Sequence, residues 1–248
     1  MTNELLYAFV CVFIAGIFRG LSGFGFALLM IISVSFVLPP ATIVPAMIVL
    51  EVVAGIRLLP SIWSSIHWRT INIMVVAAVF CTPIGVYLLT NISAEPMKLT
   101  VDVFVLVVAF LLVTGFQMKR MPTNIEAAMT GATAGVLNGA LGLGGPPIII
   151  FFLGSPLALE AGRASIIATF LAIDIAALPA LFIFNLFNQD SIKLLVFSLP
   201  ALFAGVFIGS QLVNRIKQTV ARRVALIVLL IMAAANVARS LFSLVEAS

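Results

Sequence analysis

The chain has 248 residues, 63% of them hydrophobic and only 9% charged, with a net charge of +4 and a mean hydropathy of +1.28. A soluble domain carries roughly 45–50% apolar and 25% charged residues, so a soluble globular protein is excluded and an all-α polytopic membrane protein is expected. A transmembrane barrel is excluded too: it needs alternating segments of about ten residues, and the apolar runs here are longer and unbroken.

The first residues, Met1 to Glu4, lack the basic stretch of a cleavable signal, so the mature protein is expected to begin here. Residues 5–37 form an apolar block interrupted at Gly20, Gly23 and Gly25. One helix of that length would measure about 50 Å, well beyond the roughly 30 Å hydrocarbon core. Two half-helices meeting inside the bilayer are therefore expected. Pro39-Pro40 closes the block, and residues 42–60 are expected as a helix carrying Glu51 near its middle. A loop with Arg57, His67 and Arg69 follows, flanked by Trp63 and Trp68 as interfacial anchors. Further spans are expected over 71–90 and 98–117, with Lys119 and Arg120 in the next connection.

The plan then recurs. Residues 125–156 form a block broken at Gly142, Gly144 and Gly145 ahead of Pro146-Pro147, and spans are expected over 163–186, 191–213 and 222–245. The segment Ala15-Gly-Ile-Phe-Arg-Gly-Leu-Ser-Gly-Phe-Gly25 matches Ala134-Gly-Val-Leu-Asn-Gly-Ala-Leu-Gly-Leu-Gly144 at an offset of 119 residues. Gly16, Gly20, Gly23 and Gly25 fall on Gly135, Gly139, Gly142 and Gly144. Further along, Glu51 aligns with Asp174, Gly85 with Gly209, and Lys98 with Arg222. Two membrane repeats, 1–120 and 121–248, within one integral unit are expected.

Basic residues favour cytoplasmic loops. Placing loops 61–70, 118–124 and 214–223 inside requires block 125–156 to enter and leave on one face. By homology block 5–37 does the same from the opposite face. Each repeat is then a glycine-broken helical hairpin plus three transmembrane helices, and the two repeats are inverted, as in many secondary transporters.

An ionisable side chain at mid-membrane costs about 2.5–3.5 kcal/mol on insertion scales, so such positions are site candidates. Arg19, with five donors in a planar fork, is the leading anion ligand, and Asn138 occupies the equivalent position in the second repeat. The half-helices starting near Phe26 and Pro147 would add backbone N–H groups. The tip residues Gly20, Ser22, Gly23, Gly25, Gly139, Gly142, Gly144 and Gly145 complete the expected substrate site. A structural pairing of Arg19 with Glu51 or Asp174 is the second reading, compatible with the first. Those two acids are expected either to couple proton flow to transport or to compensate charge. Gly16 with Gly20, and Gly135 with Gly139, also fit the small-xxx-small spacing of close helix packing, which leaves the remaining glycines to the breaks. Thr82, Gln211, Asn236 and Arg239 are secondary candidates. Cys11 and Cys81 read as small buried hydrophobes.

His67 is the only histidine and lies in a loop, so neither a nucleophile–histidine couple nor a histidine-based metal site is expected. Gly20-x-x-Gly23-x-Gly25 has no preceding strand to make it a dinucleotide fingerprint. No enzyme activity, cofactor, metal or nucleic-acid partner is expected. The expected partners are a small anion and the lipid bilayer, with homo-oligomerisation left open.

The paired Ala-Gly-x-x-x-Gly-x-x-Gly-x-Gly segments, the second ending Gly144-Gly145-Pro-Pro, resemble those of the sulfite exporter TauE/SafE family, and the likeness covers residues 5–245. The resemblance implies export of small sulfur-containing anions, such as sulfite, sulfoacetate or other organosulfonates, across the bacterial cytoplasmic membrane. A passive small-anion channel is the alternative. Many members have a further glycine where this chain has Phe26, which implies hairpins that contribute unequally.

Overall fold

A computed structural model describes residues 2–22, 25–56, 59–114, 122–155, 157 and 159–212, and the single positions 227, 231 and 234. Among the described residues the regular structure is entirely helical. The helices are α1 (Thr2–Ser22), α2 (Phe26–Val34), α3 (Pro40–Ile56), α4 (Leu59–Ile62), α5 (Trp68–Asn91), α6 (Ala94–Thr114), α7 (Asn124–Leu141), α8 (Gly145–Gly154), α9 (Leu159–Ile183) and α10 (Gln189–Leu212). Four of them, over Asn3–Leu21, Trp68–Asn91, Glu160–Ile183 and Gln189–Leu212, are long and apolar enough to cross a membrane. The protein is an integral membrane protein. Of the expected span 222–245 only the helical positions 227, 231 and 234 are described; the basic loop 214–223, and Arg57, Lys119, Arg120, Asn236 and Arg239 lie outside the described residues.

Two boundaries differ from expectation. The helix expected over 42–60 ends at Ile56, and the short helix α4 and a 3-10 turn over Trp63–Ser65 follow. Pro60 falls in the first turn of α4, where its missing N–H leaves no helical bond unmade. Gly20 and Gly139 do not interrupt their helices, since α1 runs on to Ser22 and α7 to Leu141.

The chain forms two compact units, each drawing on both halves of the sequence. The first contains Met1–Ile43, Ile92–Thr114 and Gln189–Ser248. Here α1 lies along α10 in parallel. A Cβ at Gly16 would meet Leu202 and Gly205, and one at Gly20 would fall 2.5 Å from the Val206 carbonyl oxygen and 2.8 Å from the Ser210 nitrogen. Gly205 and Gly209 face back onto Phe13, Gly16, Ile17 and Gly20. Backbones this close leave no room for a side chain at Gly20, Gly205 or Gly209. α2 folds back along α1, and the Tyr7 hydroxyl, near the start of α1, donates to the Ser33 carbonyl, near the end of α2, at 3.2 Å.

The second unit contains Val44–Asn91 and Gly115–Asn188. Here α5 and α7 are also parallel. Gly131 sits on Met74, Gly135 on Ala78, Gly139 on Thr82 and Val86, and Gly85 on Val136 and Ala140. α7 starts at a capping box in which Thr123 accepts from the Glu126 N–H while the Glu126 carboxylate accepts from the Thr123 N–H. α8 returns antiparallel to α9, with Gly145 against Phe170 and Gly162 against the Phe152 carbonyl. The N-terminal ends of α9 and α5 meet, where the His67 N–H donates to Ser165 Oγ at 3.0 Å and Ser65 Oγ donates to Glu160 at 3.2 Å.

Candidate functional site

The two sequence-predicted breaks are both present, and each has a left-handed glycine. Gly142 (φ 66°) caps α7, its N–H closing onto the Leu137 and Asn138 carbonyls. Gly25 (φ 91°) precedes α2. Side chains rarely adopt these φ values, so the backbone favours glycine at both positions; at Gly142 a Cβ would also run into Met47, whereas at Gly25 it would meet nothing within 4 Å.

In the second unit the break gathers several predicted residues. Asn138, in the last turn of α7, donates from Nδ2 to Asp174 Oδ1 at 3.1 Å and to the Ile173 carbonyl at 3.4 Å, and its Oδ1 accepts from the Gly144 N–H at 3.4 Å. A single buried amide thus joins the end of one helix, the tip of the break and the middle of α9. Asn138 and Asp174 are 1% and 2% exposed. The packing leaves no room for larger residues: a Cβ at Gly144 would lie 2.6 Å from Ile173 Cδ1, and one at Gly145 would lie 2.9 Å from the Phe170 ring. Met47 of α3 fills the space over Gly142, and Gly55 of the same helix lies against Leu171. Glu51, also buried, falls between those two contacts, one helical turn from each, which brings it alongside the same cluster. Thr82, one of the secondary candidates, turns its hydroxyl back to the Ala78 carbonyl at 2.8 Å, and Gln211 is exposed.

In the first unit Arg19 occupies the last turn of α1 and is 7% exposed. Its guanidinium carbon is 5.9 Å from the centre of the Phe26 ring, within cation–π range. Phe26 opens α2, whose N-terminus has no side-chain cap. The first N–H groups of a helix lack intrahelical partners and carry its positive dipole end. A guanidinium and an uncapped helix start therefore adjoin across the Gly25 turn. α8 offers less, because Pro146 and Pro147 carry no N–H and the Gly144 N–H is engaged by Asn138. Gly23 and the Ser22 side chain lie outside the described residues.

The profile of the family described as Sulfite exporter TauE/SafE matches residues 8–236. The chain belongs to the sulfite exporter TauE/SafE family. Neither a curated protein nor a solved structure matches it.

In this TauE/SafE protein the matched stretch takes in both breaks, and with them Arg19, Glu51, Asn138 and Asp174. One buried acid escaped the sequence reading: Asp102 of α6, 2% exposed, belongs to the same unit as Arg19. The signal was available, as a lone carboxylate in Val101-Asp-Val-Phe-Val105, but Glu95 and Lys98 nearby make the helix start look merely interfacial. Among the described residues no three His, Cys, Asp or Glu side chains gather where they could share a metal ion.

Proposed function

We propose that the protein is a secondary transporter that exports small sulfur-containing oxyanions, such as sulfite, sulfoacetate or other organosulfonates, across a bacterial cytoplasmic membrane. Membership of the TauE/SafE family supports the substrate class. The observation that carries the site is Arg19, buried beside the uncapped start of α2. A planar guanidinium next to free backbone N–H groups suits an oxyanion with several acceptor oxygens. Arg19 and the tip residues Gly23, Gly25 and Ser22 hold the anion. Asn138, Gly142, Gly144 and Gly145 are the neutral counterparts in the second repeat, while Gly20 and Gly139 fix the helices that present the two tips.

The two repeats, 1–120 and 121–248, are inverted, and α1–α2 and α7–α8 are re-entrant hairpins. The directions of packing support this. α7 and α9 both begin near the α5 start, so the chain between them goes in and returns. In the other unit α1 and α10 begin together, and α2 returns towards the start of α1. The count of basic residues puts loop 61–70 at the cytoplasmic face.

A thermal-shift screen of the purified protein against sulfite, sulfate, thiosulfate, sulfoacetate, taurine and carboxylate analogues tests the substrate. An anion that binds the folded state raises the melting temperature, and a hundredfold excess over its Kd is worth about 2.7 kcal/mol. Stabilisation by sulfite or an organosulfonate, absent with the carboxylates, is the expected result, and stabilisation by carboxylates alone would overturn it. Saturable, counter-ion-dependent uptake in proteoliposomes separates a transporter from a passive channel.

Glu51 and Asp174 couple proton movement to export. Both carboxyls are buried, and the Asn138 amide that donates to Asp174 carries an acceptor end as well. The Glu51→Gln/Asp174→Asn variant is expected to retain anion binding while losing the response of flux to an imposed pH gradient. Unchanged gradient dependence in proteoliposomes of this variant would remove coupling from these residues.

A further inference from the structure

An apolar furrow of about 300 Å³ runs between α5 and α9, entirely within the second unit. Ile71 and Leu171 form its buried floor, and Val76 and Ile175 form its lips, 58% and 46% exposed. Ala172 keeps the furrow open, because a longer aliphatic side chain there would fill it. At the end where the two helices start, the furrow is framed by Trp68, whose ring lies 4.6 Å from that of Trp63. Both indoles are exposed, as expected of residues at headgroup depth.

The polar groups around this mouth are unequal in sign. Arg69 is exposed and shares a face of α5 with Asn72 and Val76, at the i, i+3, i+7 spacing. Arg163 is exposed in the opening turns of α9. Neither has an ion-pair partner among the described residues. The one acid close by, Glu160, accepts from the Ser65 hydroxyl. Arg69 and the Trp68 indole, adjacent at the start of α5, thus stand at one end of an apolar channel that runs on to Val76 and Ile175. A charged, aromatic-framed mouth leading into an apolar channel suits the phosphate and acyl chain of a phospholipid.

We propose that the furrow between α5 and α9 binds one anionic phospholipid of the bilayer, its acyl chain between Val76 and Ile175 and its phosphate at Arg69. The anionic class follows from the net positive mouth, since one arginine near a membrane surface is worth about a fivefold preference for anionic lipid. The furrow shares none of its lining residues with the two tips.

The chain's two tryptophans, Trp63 and Trp68, both sit at this mouth, so their fluorescence reports on the site. The test uses the full chain carrying Trp63→Phe, reconstituted with brominated phosphatidylglycerol or brominated phosphatidylcholine as a minor component. Trp68 is expected to be quenched more by the anionic lipid, with an apparent preference of about fivefold. Arg69→Gln, at an exposed position, should remove that preference while leaving the melting temperature unchanged. Ala172→Leu should reduce quenching by both lipids. Equal quenching by the two lipids in the parent protein would overturn the proposal, as would a preference that survives both substitutions. Weak quenching by both, with Asn72→Cys cross-linking two copies, would assign the furrow to a second copy and equally overturn it.

Discussion

Arg19→Ala is expected to reduce anion flux in proteoliposomes by at least about a hundredfold. A hydrogen bond to a charged group contributes about 1.5–3 kcal/mol, and a guanidinium supplies more than one. Removing it also takes away the cation beside Phe26, so α2's dipole end loses its neighbouring positive charge. Arg19→Lys keeps the charge but not the planar fork, and should bind with reduced affinity and altered selectivity rather than fail outright. The lysine variant also guards against misreading a folding defect: it should melt close to the parent. Parental flux through Arg19→Ala would remove the residue from the substrate site.

Gly135→Ala is expected to cost far more stability than Gly16→Ala, although the two glycines are equivalent in the repeats. A methyl at Gly135 would fall 2.5 Å from the Ala78 carbonyl oxygen and 2.7 Å from its Cα, both backbone atoms that cannot rotate away. At Gly16 the nearest atoms are 3.2–3.3 Å off, a gap that small shifts can absorb. Overpacking of a tight contact costs about 1–3 kcal/mol, so Gly135→Ala should sit at or above the top of that range and Gly16→Ala near the bottom. Melting of the two variants in the same detergent, read beside sulfite binding by the folded fraction, checks the order. The reverse order would mean that the α1/α10 crossing, not the α5/α7 crossing, is the tighter of the two.

The breaks were legible in the sequence because glycine and proline act locally. Gly25 and Gly142 take φ values that few other residues tolerate, and the reading needed no knowledge of what surrounds them. Helix ends were legible for the same reason, except between α3 and α4, where the sequence up to Pro60 reads as one helix. The partners of each helix were harder to see. In water a helix shows its buried face as an apolar stripe, but here both faces are apolar and the periodic signal is lost. Only the spacing of small residues, Gly131-xxx-Gly135-xxx-Gly139 against Ala78, Thr82 and Gly85, marks the α5/α7 seam. Asn138 was singled out as a polar residue at an apolar depth, yet its bond to Asp174 depends on α8 folding back between them, which no local pattern encodes. Asp102 was overlooked for the opposite reason, since two neighbouring charges made its surroundings look polar.

The parallel seams have a consequence for synthesis. The glycines of α1 close onto those of α10, so the first helix to leave the ribosome meets its packing partner only when nearly the whole chain has been made. Until then Gly16 and Gly20 present an uncovered groove to the lipid. α5 waits a shorter time for α7. Contacts between distant segments close slowly, because the intervening loop must lose its freedom first. The α5/α7 seam is therefore expected to close before the α1/α10 seam, and a ribosome stalled ahead of α10 leaves α1 without its packing partner.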